Sequence, residues 1–136
     1  MVSLDRQDLI IIMEAGYIYL GMGRFQEARD VFEGAAVLAP GSEIPLVAIG
    51  TSYFAQQKFD PAIKAYQRAL AAREDSPFAR AYLGEALFFK GKKVESLKEL
   101  ERAASLDPSG TAGGFARSLI DMVKKGFEPP AKVKHN

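Results

Sequence analysis

From Leu9 onward the chain alternates apolar and polar positions with a period of three to four. Ile12, Ala15, Gly16 and Tyr19 fall on one side of a helical wheel, Gly23 interrupts them, and Ala28, Phe32 and Ala35 resume the same spacing. This pattern predicts two short amphipathic helices joined by a tight turn. The block then recurs. Gly16, Gly50 and Gly84 are separated by 34 residues each time, with Ile12, Leu46 and Arg80 four positions earlier. Ala15, Ile49 and Leu83 stand immediately before those glycines, and Tyr19, Tyr53 and Leu87 three after. Twelve positions on come the small residues Ala28, Ala62 and Ser96, then the large Phe32, Tyr66 and Leu100, then Ala35, Ala69 and Ala103. Gly23, Gln57 and Gly91 hold the turns, followed two later by Phe25, Phe59 and Lys93, and Pro40, Glu74 and Pro108 close the three units.

Helix starts are marked independently. Ser42 precedes Glu43-Ile44-Pro45, Asp60 precedes Pro61, and Ser76 precedes Pro77. Such side chains accept hydrogen bonds from free amides of a first turn, where proline removes only a donor that would be unpaired. Glycine inside a helix costs about 1 kcal/mol relative to alanine. Its return at 16, 50 and 84 predicts close approach of a partner helix. After Pro108 the segment Ser109 to Gly114 reads as a flexible connection or a weak helix start. Phe115, Leu119, Ile120, Met122 and Val123 then predict a seventh helix, with Lys124 and Lys125 near its negative end and Gly126 to stop it.

This register resembles the tetratricopeptide repeat (TPR) family over residues 9–110. The resemblance implies an all-α fold, a right-handed superhelical solenoid of three helix-turn-helix repeats plus a C-terminal capping helix. One domain over 1–126 is expected, with repeats at 9–42, 43–76 and 77–110, the capping helix at about 112–126, and a flexible tail at 127–136 carrying Pro129-Pro130. Departures gather in the third unit, where Arg80 replaces a large apolar residue, Lys93 an aromatic and Ser96 an alanine; Glu74 stands where the other units carry proline.

Composition narrows the function. With 136 residues, 48% of them hydrophobic, the chain can bury a core without disulfides or metals, and it has no cysteine. The absence of cysteine removes thiol nucleophiles and thiolate zinc sites, and is compatible with a reducing compartment. A net charge of +1 does not supply the basic surplus that nucleic-acid binding requires. The apolar run Leu9 to Met13 follows Asp5, Arg6, Gln7 and Asp8, ends at Glu14, and falls short of the ~18 residues of a membrane span. An unexported, cytoplasmic chain without membrane insertion is expected. The one histidine, His135, lies in the tail and reads as solvated, as do Lys132 and Lys134. Glu95, Lys98, Glu99 and Arg102 form a solvated helix face, and Gly21-Met22-Gly23 lacks the strand and lysine of a phosphate loop. No catalytic residue, metal or cofactor is expected, and the chain does not read as an enzyme.

Binding remains. By the resemblance, the first helix of each repeat lines a concave groove, contributing Ile10, Met13, Tyr17 and Leu20 from repeat one, Ile44, Val47, Thr51 and Phe54 from repeat two, and Phe78, Ala81, Glu85, Phe88 and Phe89 from repeat three. These positions are nearly all apolar, and they lie beside the packing face that carries Ile12, Tyr19, Leu46, Tyr53, Leu83 and Leu87. A second apolar face marks a partner site. TPR co-chaperones of cytosolic heat-shock proteins hold a terminal carboxylate with Lys, Asn and Arg. Ile10, Met13, Tyr17, Val47, Phe78 and Ala81 occupy those places here, so the expected ligand is an amphipathic helix or apolar peptide segment. Length, repeat number, groove polarity and the stretch Glu14 to Tyr19 with Gly23 to Ala28 are similar to the small cytoplasmic chaperones of bacterial type III secretion, which hold needle or translocator subunits. Two alternatives stay open: a stable scaffold or assembly subunit, and a regulatory TPR module whose groove is occluded by its own tail. Leu9, Ile11 and Ile12 are also compatible with a homodimer through the first helix.

Overall fold

Gly23, Gln57 and Gly91, 34 residues apart, all take positive φ, at 74°, 60° and 95°. Each reverses the chain between the two helices of a pair. The computed structural model describes residues 5–130. Seven helices run through them: α1 Arg6–Gly21, α2 Phe25–Leu38, α3 Ile44–Ala55, α4 Phe59–Ala72, α5 Pro77–Lys90, α6 Lys93–Leu106 and α7 Thr111–Lys124. Consecutive helices pack on one another, α3 also touches α5, and α7 lies against both α5 and α6. The result is a stack of three helix-turn-helix units closed at one end by α7.

Local signals place most of the boundaries. Asp5 accepts from the Asp8 amide at 2.8 Å, and Ser76 from the Ala79 amide at 3.2 Å with Pro77 first in its helix. Ser42 accepts from the Ile44 amide at 3.2 Å, one residue ahead of Pro45. The second pair differs from expectation at Asp60, which does not cap a helix. Gln57 completes the turn, so α4 already begins at Phe59, and the Asp60 carboxylate pairs with Lys90 of α5. The Ser109 to Gly114 segment takes the second of its two expected forms, a helix start. It is no loose connection: α7 starts at Thr111, and the Asp107 carboxylate accepts from the Gly113 amide at 3.0 Å.

The three helix glycines sit where helices touch. A Cβ on Gly16 would lie 2.2 Å from Phe32, on Gly50 2.4 Å from Tyr66, and on Gly84 2.6 Å from Leu100. The large residue sixteen positions on therefore fills the space that glycine leaves, in every repeat. Phe32, Tyr66 and Leu100 are fully buried, as are Ala35, Ala69 and Ala103. Ser96, in an alanine's place, is also buried and donates to the Gly84 carbonyl at 2.6 Å, which satisfies its hydroxyl. Arg80 reaches Glu99 of α6 at 2.9 Å and donates to the Glu74 backbone carbonyl, so a charge in place of a large apolar residue finds partners at the edge of the stack. Arg29, whose period mates are Ile63 and Leu97, is buried; its guanidinium lies 4.1 Å over the Tyr53 ring and donates to Gln56 at 2.7 Å.

Candidate peptide-binding groove

α1, α3 and α5 supply the inner surface of the stack. Two adjoining depressions run across it, of about 290 and 190 Å³, sharing Tyr17 and Ile44. The first is lined by Leu9, Ile10, Met13 and Tyr17 of α1 with Ile44 of α3, and Arg6 and Glu14 at its margin. The second continues from Tyr17 over Ile44 and Val47 to Phe78 and Tyr82 of α5, with Glu43 at its edge. Ile10, Tyr17, Ile44 and Phe78 remain 46–51% exposed. Four large apolar side chains from three helices therefore face solvent along one continuous strip, far more than packing within the stack explains.

The predicted site residues divide by depth. Ile10, Tyr17, Ile44, Val47 and Phe78 line the strip, and Met13, though buried, forms part of its floor. Leu20 is half-buried and packs with Ile12 and Tyr19 on the core of the first repeats. Thr51 donates to the Val47 carbonyl at 3.1 Å and shares a hydrogen bond of 3.3 Å with the Tyr66 hydroxyl. Ala81 and Phe88 do not face the groove. Ala81 is buried against Leu100, Ala103, Ala116 and Leu119, where α6 and α7 close over α5. Phe88 is 3% exposed and packs between Phe89 and Phe127, with ring centroids at 5.8 and 6.0 Å. Phe54 and Phe89 join it in a knot of rings with Phe59, at 5.3–5.8 Å. The rings of Phe54, Phe59 and Phe89 thus bury part of one another's surface, and a further depression of about 240 Å³ stays open beside them between Phe59, Asp60, Phe89 and Lys90.

The sequence reading missed Tyr82. It stacks on Tyr66 at 5.9 Å and contacts Phe115 of α7 at 5.7 Å, while its ring lines the second depression. Its place four residues after Phe78 on the same helical face was the available signal. Tyr17, Tyr66, Tyr82, Thr51 and Glu85 consequently gather at the groove floor. Burial pushes the phenols of Tyr17 and Tyr66 upward. It also pushes the Glu85 carboxyl up to about 7, with no charged neighbour contributing. Among the described residues Glu85 has no hydrogen-bond or ion-pair partner.

Among the described residues no group of His, Asp and Glu is arranged to hold a metal ion, and no helix is long and apolar enough to cross a membrane. His135, Lys132 and Lys134, with the rest of the tail beyond residue 130, lie outside the described residues. Phe127 lies inside them, against Phe88 and roughly 15 Å along α5 from Phe78, off the open strip.

Comparison with known proteins agrees with the repeat register. Family profiles described as tetratricopeptide repeat match residues 11–41 and 47–111. The Hsp70-Hsp90 organizing protein of Triticum aestivum is 33% identical over 81 residues, covering 58% of this chain and 14% of that protein. Human RNA polymerase II-associated protein 3 is 26% identical over 108 residues, 79% of this chain and 16% of that one. The match thus spans about one seventh of these relatives' length. Among solved structures, the type III secretion translocator chaperone SycD of Yersinia enterocolitica superposes with a TM-score of 0.76 at 19% identity, covering 86% of this chain and 90% of that one. PcrH of Pseudomonas aeruginosa gives 0.77 at 14%, with 89% and 95% covered. The first TPR of Spaghetti, bound to the HSP90 peptide SRMEEVD, gives 0.75 at 23%, with 92% and 97% covered. By its 34-residue register, the stacking of its helices and the two profile matches, the chain belongs to the tetratricopeptide repeat family.

Proposed function

We propose that this chain is a binding module, not an enzyme, which holds an apolar segment of a client protein in the groove of α1, α3 and α5 as a cytoplasmic chaperone of the type III secretion class. The observation that carries the reading is the open strip of Ile10, Tyr17, Ile44, Val47, Phe78 and Tyr82. Burying such anchors at ~25 cal/mol per Å² offsets the ordering of a short segment and keeps that segment from aggregating. The Yersinia chaperone has been solved with a peptide of the translocator YopD, a likeness in fold that supports this choice of client. An acidic heat-shock peptide such as SRMEEVD suits this groove poorly, because Ile10, Tyr17, Val47 and Phe78 line it where a carboxylate would need cations, and Glu14 lies at its edge.

The test is affinity capture from the native cell with the wild-type chain and with the Tyr17→Glu/Phe78→Glu double variant, alongside circular dichroism and melting of both. Because both side chains are about half exposed, the variant should keep its helicity and melting temperature yet lose a stoichiometric small secreted subunit. Retention of the same subunit by the variant would place binding elsewhere. Capture of a large permanent assembly would support the scaffold reading instead.

One further surface supports self-association. Of the expected dimer residues Leu9 and Ile12 pack on the core, but Ile11 is exposed, as are Ala15 and Ile18 of α1 and Met22 at its C-cap, in the four-three-four spacing of a two-helix coil. If it pairs two copies, Ile11→Glu/Ile18→Glu will halve the mass measured by light scattering without weakening client binding.

A further inference from the structure

The groove holds one feature that an apolar anchor does not use. Glu85 lies on the same face of α5 as Phe78 and Tyr82, one turn beyond the second depression. It corresponds in the repeat register to Thr51 and Tyr17, so the three form the central row of the groove. The ionisable group that senses it is the Tyr66 phenol of α4, which in turn adjoins Tyr82 of α5 and Tyr17 of α1. Thr51 of α3 spends its hydroxyl on Val47 and Tyr66. Glu85 is thus a half-buried carboxylate in an aromatic cradle with no cation among the described residues to pair with it. Burying a carboxylate without a partner is unfavourable, and a ligand cation would relieve that cost. Elsewhere at the groove margin the carboxylates have cations near them, Glu43 paired with Arg73 at 3.7 Å and Glu14 sharing the first depression with Arg6, so Glu85 is the one left without a partner among the described residues that line the groove.

We propose, resting on the groove reading above, that the client segment carries a lysine or arginine beside its apolar anchors and that this cation is received by Glu85 on the groove side of Tyr17 and Tyr82. The aromatic rings add to the attraction, because their faces are negative and the site is partly screened from water. Apolar anchors then supply most of the affinity, and the cation fixes the register of the segment along the groove. Since burial holds the free Glu85 carboxyl near pH 7, pairing requires it to lose its proton, so the affinity of a lysine-bearing peptide falls as pH drops from 8 to 6.

A phage-displayed library of random 12-residue peptides, selected in parallel on the wild-type chain, on Glu85→Gln and on Tyr17→Glu/Phe78→Glu, tests this directly. The expected result on wild type is enrichment of sequences with two or more large apolar residues and one adjacent Lys or Arg. In a synthetic peptide from that pool, replacing the basic residue by norleucine should weaken binding about tenfold to wild type and leave binding to Glu85→Gln unchanged. Enrichment of purely apolar sequences, or equal loss of affinity in both proteins, overturns the cation while leaving the groove intact. No enrichment on wild type, or equal enrichment on the double variant, overturns the groove reading and the cation with it. Glu85→Gln breaks no charge pair, so an unaltered melting curve near pH 4, where the carboxyl is protonated in both the folded and the unfolded chain, serves as its folding control.

Discussion

At the residue scale, spacing carries most of the information. Glycine at 16, 50 and 84 announces that something large occupies the volume of its missing side chain, and Phe32, Tyr66 and Leu100 are what occupies it. A prediction separates this from mere helix propensity. Gly50→Ala gains about 1 kcal/mol of intrinsic helix preference, yet its methyl would meet the Tyr66 ring at 2.4 Å in a fully buried site. The net effect expected is a loss of about 2 kcal/mol and a melting temperature several degrees lower; an increase would mean that the ring has room to turn. Arg29 was illegible at this scale. A charge at a position whose period mates are Ile63 and Leu97 breaks the pattern, but only the neighbouring Tyr53, Ser52 and Gln56 explain how it is accommodated.

At the scale of elements, the helices follow from period and punctuation, and what departs does so at their ends. Asp60 carries the chemistry of a cap, but the left-handed turn at Gln57 starts α4 ahead of it. Asp107 does the converse. It lies six residues before the amide it serves, a separation that no short-range capping pattern covers, and through it the glycine-rich stretch becomes the firm start of α7. Gly113 is obligatory there, since a Cβ would fall 1.7 Å from the Asp107 carbonyl oxygen. Asp107→Ala should therefore cost about 1 kcal/mol and raise amide exchange chiefly in the first turn of α7. Protection unchanged in Thr111 to Phe115 would show that this capping bond contributes nothing.

At the scale of the whole molecule, stacking decides which apolar residues are core and which are open. It also sets the environment of Glu85, and this has a consequence for stability. The carboxyl titrates near 4.5 when unfolded and near 7 in the fold, so the folded state holds the proton more tightly. The resulting contribution is greatest below the unfolded value and is lost as pH rises through 7. Relative to wild type, Glu85→Gln should thus be more stable by about 2 kcal/mol at pH 8, after allowance for solvent screening, with the difference closing towards pH 5. Urea titrations of both proteins across that range check it, and a difference that does not vary with pH would mean that Glu85 is fully hydrated. The chain's order of apolar, small and turn residues determined by itself that seven helices form, that they pair, and that an inner apolar face exists, because helical period and glycine contacts are local or strictly repeated properties. Only the tertiary structure decided that Phe88 and Ala81 belong to the interior, that Phe54 and Phe89 cluster with Phe59, and that Tyr82 and Glu85 gather with Tyr66. Those outcomes depend on α4, α7 and Phe127 arriving from distant parts of the chain, and no spacing within a single helix encodes which neighbour will cover it.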